Sequence, residues 1–204
     1  MKQLLIIATL LFGLTVITKS QIVENRVGKY LQVKAIDTFL VYSYPCSGQG
    51  VWFDSCKYEE PQYLIWTQDG NYYLRKFDYC NSFSVIQIDS INPLTFYLKN
   101  KKVIDREKIK QPTYYEYKKN NTKIDTLVVT SMVDHSCSYK FTLPLTRNSK
   151  YKYANTYDLD FKLFDNGRKN IYYNYNQKTK FKLLIDLTTR LIKQMETENR
   201  FVPE

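Results

Sequence analysis

The spacing of apolar residues changes period several times along the chain. Ile22, Val23, Val27, Tyr30 and Leu31 recur at helical spacing and predict a short amphipathic helix, which Gly28 weakens. Residues 39–44 form an aromatic and β-branched run stopped by Pro45, the pattern of a strand. Residues 63–68 and 71–77 are strand-forming runs separated by Asp69-Gly70. That dipeptide is the signal of a type I′ hairpin, because both turn positions need positive φ. A two-residue loop then pairs Trp66 with Tyr73 and Ile65 with Leu74.

Further strands are expected at 85–88 and 94–98, bracketing a turn at Asn92-Pro93. Asp105 is read as the cap of a single helical turn reaching residue 110. Residues 113–118 and 125–132 flank a polar turn and predict a second hairpin, and 137–143 is another strand before Pro144. Tyr157, Leu159, Phe161 and Leu163 alternate with polar residues, as a half-buried strand would, and Asn166-Gly167 turns the chain. From Thr179 the period becomes helical, with Leu184, Leu187, Leu191, Ile192 and Met195 on one face. These elements predict a single α+β domain. It has a mostly antiparallel sheet of hairpins, a short N-terminal helix and a longer C-terminal amphipathic helix.

The first residues have a different character. Met1-Lys2-Gln3 carries one charge, residues 4–17 are an apolar run of fourteen, and Thr18-Lys19-Ser20 ends small. This is the three-part pattern of a secretory signal over 1–20, leaving a domain over 21–204 that begins at Gln21. The run is shorter than the ~20 residues of a membrane-spanning helix, so no transmembrane segment is expected after cleavage. The expected location is periplasmic or secreted.

Four cysteines follow: Cys46, Cys56, Cys80 and Cys137. An even number behind an export signal points to disulfides, with three connectivities open. Sequence proximity favours Cys46 with Cys56 and Cys80 with Cys137. No Cys-x-x-Cys pair occurs, and His135 beside Cys137 lacks further ligands at zinc spacing, so no metal or cofactor is expected.

The 204 residues carry 30 basic and 20 acidic side chains, net +10. Lys2 and Lys19 fall in the signal, leaving +8. Nineteen tyrosines accompany this charge. Aromatic and basic residues together suit a polyanion groove. The lysines are scattered, however, and an excess of Lys and Asn over Ala also follows from AT-rich codons alone. No nucleic-acid partner is expected.

Candidate chemistry is sparse. His135 is the only histidine, in Val133-Asp134-His135-Ser136-Cys137. Adjacency in sequence does not build a triad, and no Gly-x-Ser-x-Gly elbow is present. Glu59-Glu60 and Asp158 with Asp160 are the available carboxylate pairs, the second on one face of the expected strand. Asp158, Asp160 and Asp165 lack the spacing of a calcium loop. The loop 47–53 presents Trp52 and Phe53 between cysteines and is a candidate partner-binding site.

With a short signal, Ser-Gln at the cleavage point, few cysteines and many tyrosines, the chain resembles small exported proteins of AT-rich Gram-negative bacteria in style. That resemblance assigns no residue a role. The reading favoured is a non-enzymatic exported module that binds a protein partner or an envelope component. The alternatives are an envelope-polymer hydrolase using His135 or paired carboxylates, and a binder of anionic glycans or lipid headgroups.

Overall fold

The computed structural model describes residues 19–47, 60–120, 123–143 and 150–204. The apolar run 4–17, Trp52, Phe53, Cys56 and Glu59 lie outside them.

Helix α1 (Lys19–Val33) opens the described chain, two residues before the expected mature start. Strands β1 (Phe39–Ser43), β2 (Gln62–Gln68), β3 (Asn71–Phe77) and β4 (Ile86–Ile88) follow, then helix α2 (Pro93–Arg106). Next come β5 (Thr113–Asn120), β6 (Lys123–Thr130), β7 (Ser138–Leu143) and β8 (Lys150–Asn155). Three helices end the chain: α3 (Thr156–Asp160), α4 (Tyr173–Lys178) and α5 (Lys180–Thr197).

The strands form a six-stranded sheet in the order β4-β3-β2-β1-β7-β8 and a separate β5-β6 hairpin. Every strand pair is antiparallel. The fold is α+β, as the alternation of periods predicts.

The β2–β3 hairpin has the expected register, Trp66 opposite Tyr73 and Ile65 opposite Leu74. The Trp66 and Tyr73 rings stack at 5.3 Å. Asp69 and Gly70 take φ values of 51° and 77°, the left-handed pair that a type I′ turn demands.

Alternation along the strands gives the sheet two faces. Leu40, Tyr42, Tyr63, Ile65, Leu74, Phe141 and Leu143 point to one, where α2 and α5 cover them. Helix α5 contributes Phe181, Leu184, Ile185, Ile192 and Met195 to this core. Burying five such side chains is worth about 10 kcal/mol of transfer free energy before ordering costs. Thr179 Oγ1 accepts from Lys182 N at 3.1 Å and Glu107 accepts from Lys180 N and Phe181 N, so hydroxyl and carboxylate cap the positive end of α5.

On the opposite face α1 sets Val27, Tyr30 and Leu31 against Val41, Leu64, Trp66 and Phe77. Arg75 is buried among them, its guanidinium 4.6 Å from the Tyr30 ring centre and paired with Glu204. The aromatic faces offset part of its desolvation.

Four expectations are corrected. Residues 94–98 are helical, not a strand. Asn92 caps α2 by accepting from Thr95 N at 3.1 Å, and Pro93 occupies the first turn, where its missing N–H costs nothing. The helix ends at Arg106, so Asp105 closes a helix instead of opening one, and it pairs with Lys101 one turn earlier. Residues 157–163 are not a strand either. Asn155 Oδ1 accepts from Tyr157 N at 2.7 Å and starts α3, in which only Leu159 is buried. Tyr157, Phe161 and Phe164 pack ring to ring at 4.7 and 4.8 Å across a helical turn and a loop, while Leu163, expected on the buried side, is exposed.

The last correction is the disulfide pairing. Cys46 is bonded to Cys137, 91 residues away, and not to Cys56. The two cysteines face each other as an isolated antiparallel bridge just beyond the paired ends of β1 and β7. Spatial adjacency of strands, not closeness in sequence, decides the bond. Cys80 is disulfide-bonded too, and no described cysteine is free.

In the chain-entropy account, closing a loop of that length is worth about 4.5 kcal/mol. The Cys46→Ser, Cys137→Ser double variant is therefore expected to lose roughly 3–5 kcal/mol in denaturant unfolding. Gly70→Ala is expected to cost about 1–2 kcal/mol in the same measurement, because a Cβ at positive φ meets its own carbonyl.

Candidate functional site

His135 lies in an exposed bend with Asp134, also exposed. Neighbouring Ser136 Oγ accepts from Asn155 Nδ2, and Cys137 is in the disulfide, so no thiol is left beside the imidazole. Glu60 accepts from Cys46 N at 2.7 Å and supports the crosslinked strand end. Asp158 and Asp160 sit in the single turn of α3, where residues two apart do not share a face. The strand-face acid pair is thereby removed. Burial raises the Asp158 carboxyl above its ordinary value. No metal-binding cluster of His, Cys, Asp and Glu occurs among the described residues. No helix among them is long and apolar enough to cross a membrane.

The densest set of titratable groups lies under α5. Tyr63 Oη donates to Glu196 Oε1 at 2.8 Å, and Lys76 Nζ donates to the same oxygen at 2.7 Å. Tyr42 is next to Tyr63 in the sheet, and Tyr139 packs on Tyr44 at 4.9 Å. Burial pushes the Tyr42 phenol up to about 12, and burial raises Tyr63 and Tyr139 as well. Such phenols stay protonated and donate hydrogen bonds; at neutral pH they take no proton from a substrate. This seam joins α5 to the sheet.

The other prominent site is a surface. Among the described residues, the side chains of α1 that pack on the sheet, Val27, Tyr30 and Leu31, lie against β1, β2 and β3. β7 and β8 lie farther along. There the same face of the sheet carries Ser138, Lys140 and Thr142 on β7, paired with Asn155, Tyr153 and Tyr151 on β8. Tyr153 is 70% exposed and Tyr151 52%. Lys140 Nζ lies 4.7 Å from the Tyr151 ring centre. These tyrosines occur in Lys150-Tyr151-Lys152-Tyr153, an alternation that sends the tyrosines to the open face. Lys152 faces the core side, where it donates to Glu107 O. No element is expected here from the sequence, because both alternating residue types are large and amphipathic and mask the period of two.

The β5-β6 hairpin adds a second aromatic strip. Tyr114 packs on Phe164 at 4.6 Å, fixing one side inward. Tyr115, Tyr117 and Val128 on the other side are exposed.

Comparison of the chain with protein-family models, curated proteins and solved structures finds no match.

The buried phenols generate a pH expectation. A phenol whose folded value is raised stabilises the fold fully below its ordinary value near 10, and that contribution is lost as pH rises through the folded value of about 12 for Tyr42. The melting temperature should fall across this alkaline window. Tyr42→Phe should flatten the fall. Tyr63→Phe should also cost about 1 kcal/mol at neutral pH through the lost bond to Glu196.

Proposed function

We propose that the chain is an exported, non-enzymatic binding module whose contact surface is the uncovered β7–β8 half of the sheet. The observation that carries this reading is the pair of highly exposed tyrosines, Tyr151 and Tyr153, on a strand held rigid by the β7 ladder. Tyrosine offers a large apolar area, a hydroxyl and little rotamer entropy to lose, which suits it to recognition. The disulfide and the signal-like residues 1–20 support export. A mature start at Gln21 follows from the same reading and is checked by N-terminal sequencing of protein recovered outside the cell.

The experiment compares variants at equal amounts of folded protein. A photo-crosslinking residue at position 153 should give a discrete adduct in the native envelope, and one at position 102 should not. Tyr151→Ser with Tyr153→Ser should reduce that adduct at least tenfold when tested with the crosslinker at position 142. His135→Ala should leave it unchanged. Loss on His135→Ala with an unchanged melting temperature would instead favour the hydrolase reading.

A further inference from the structure

Helices α2 and α5 lie on one face of the sheet and bury their inner sides in the same core. Their other sides form the outer layer of the molecule. On α2 the core takes Leu94, Tyr97 and Ile104. At about 100° per residue, the opposite side carries Leu98, Lys99, Lys102, Val103 and Arg106 within one arc. All five are exposed. α5 adds Arg190 and Lys193, exposed on its outer side.

The charge of this layer is not balanced. Every acid of the two helices is already paired with a base: Asp105 with Lys101, Asp186 with Lys182 and Glu196 with Lys76. Of the acids just beyond them, Glu107 caps α5 and Glu198 lies 3.8 Å from Arg200. Asp89 is exposed, at the opposite end of α2 from Arg106. Lys99, Lys102, Arg106, Arg190 and Lys193 have no ion pair among the described residues. Apolar side chains stand among these cations. Leu98 and Val103 share the arc, and Ile91 precedes the cap of α2 with 93% of its surface exposed. A hydrophobic residue in that place commonly folds back onto the helix, and Ile91 stands off it.

A soluble polyanion rewards the cations alone. The interface of an anionic bilayer rewards both features, holding ammonium and guanidinium groups at the headgroups and apolar side chains just below them. We infer that the α2–α5 layer docks on the surface of a bilayer containing anionic phospholipid, with Ile91 inserted. Each free cation strengthens such binding about fivefold. This surface is separate from the one in the binding-module reading, and neither depends on the other. Tyr151 and Tyr153 lie on the other face of the sheet, so a docked molecule turns them away from the lipid.

The test floats the full mature chain with vesicles at 0.15 M salt. One set is phosphatidylcholine alone, and the other holds three parts in ten of phosphatidylglycerol. Binding should be saturable on the second and at least tenfold weaker on the first; equal binding to both would overturn the inference. Lys99→Gln with Lys102→Gln should weaken it at least tenfold at unchanged melting temperature. Lys29→Gln with Lys34→Gln, in and just after α1 on the other face, removes the same charge and should change it less than twofold. Equal loss from both pairs would mean attraction by overall charge and overturn the inference. Ile91→Ser should weaken binding about fivefold. No loss from that variant would leave nothing inserted and overturn the lipid assignment in favour of a soluble polyanion. A photo-crosslinking residue at position 91 should take up lipid mass on vesicles, and one at position 151 should not; the reverse would overturn the placement. Lipid at position 102 adds no protein, so that position remains the control for protein adducts. Binding to neither vesicle would overturn the inference outright and leave the β7–β8 reading as it stands.

Discussion

The pairing of β1 with β7 is the junction on which the architecture depends. β1 through β4 form one antiparallel group in which each strand pairs with the next. β7 and β8 form a separate hairpin far along the chain. The register Val41–Thr142, Tyr42–Phe141 and Ser43–Lys140 joins the two groups, and the bonds from Ser138 N to Pro45 O and from Ser47 N to Ser136 O continue it. Cys46–Cys137 locks that register a few residues past the ladder. Without it, Phe141 would lose its place beside Tyr42, and Phe181 of α5 would lose the ring on which it packs edge to face.

That junction also explains why the two sheet faces differ. The core face spans both strand groups and needs a long helix, so α5 and α2 cross it together. Among the described residues the opposite face receives α1, which serves the β2–β3 side through Tyr30 and Arg75. On the β7–β8 side Tyr151 and Tyr153 stay exposed. The two halves of one continuous sheet face thus differ in how much of their aromatic surface is buried.

The parts of this fold legible in the sequence are those governed by local rules. Asp69-Gly70 specifies a turn by backbone sterics alone, and the register of Trp66 and Tyr73 follows. The apolar stripe from Leu184 to Met195 has no competing period. Asn92-Pro93 is ambiguous because the same dipeptide starts a turn or caps a helix; Ile104, buried on the same helix as Leu94 and Tyr97, lies beyond the short window in which Leu94-Thr95-Phe96-Tyr97-Leu98 resembles a strand. Asn155 likewise decides for α3 through a side-chain bond that hydrophobic alternation cannot register. The disulfide was illegible because it depends on which strands become neighbours. The candidate surface was hidden for a related reason: exposure of Tyr151 and Tyr153 is a property of what α1 fails to cover, and no residue in 150–155 encodes the reach of a helix more than a hundred positions earlier.

The placement of α5 has a consequence for the order in which the molecule can be made. A chain leaving the ribosome presents β1, β2 and β3 first, and Phe181, Leu184 and Ile185 follow only after more than a hundred further residues. Until they arrive, Leu40, Ile65 and Leu74 share their cluster with α2 through Leu94, Tyr97 and Ile104, but the apolar area that α5 covers stays in water. Completion of the core is therefore deferred until nearly all of the described chain has emerged, because Phe181, Leu184, Ile185, Ile192 and Met195 are the last of its buried side chains to be made.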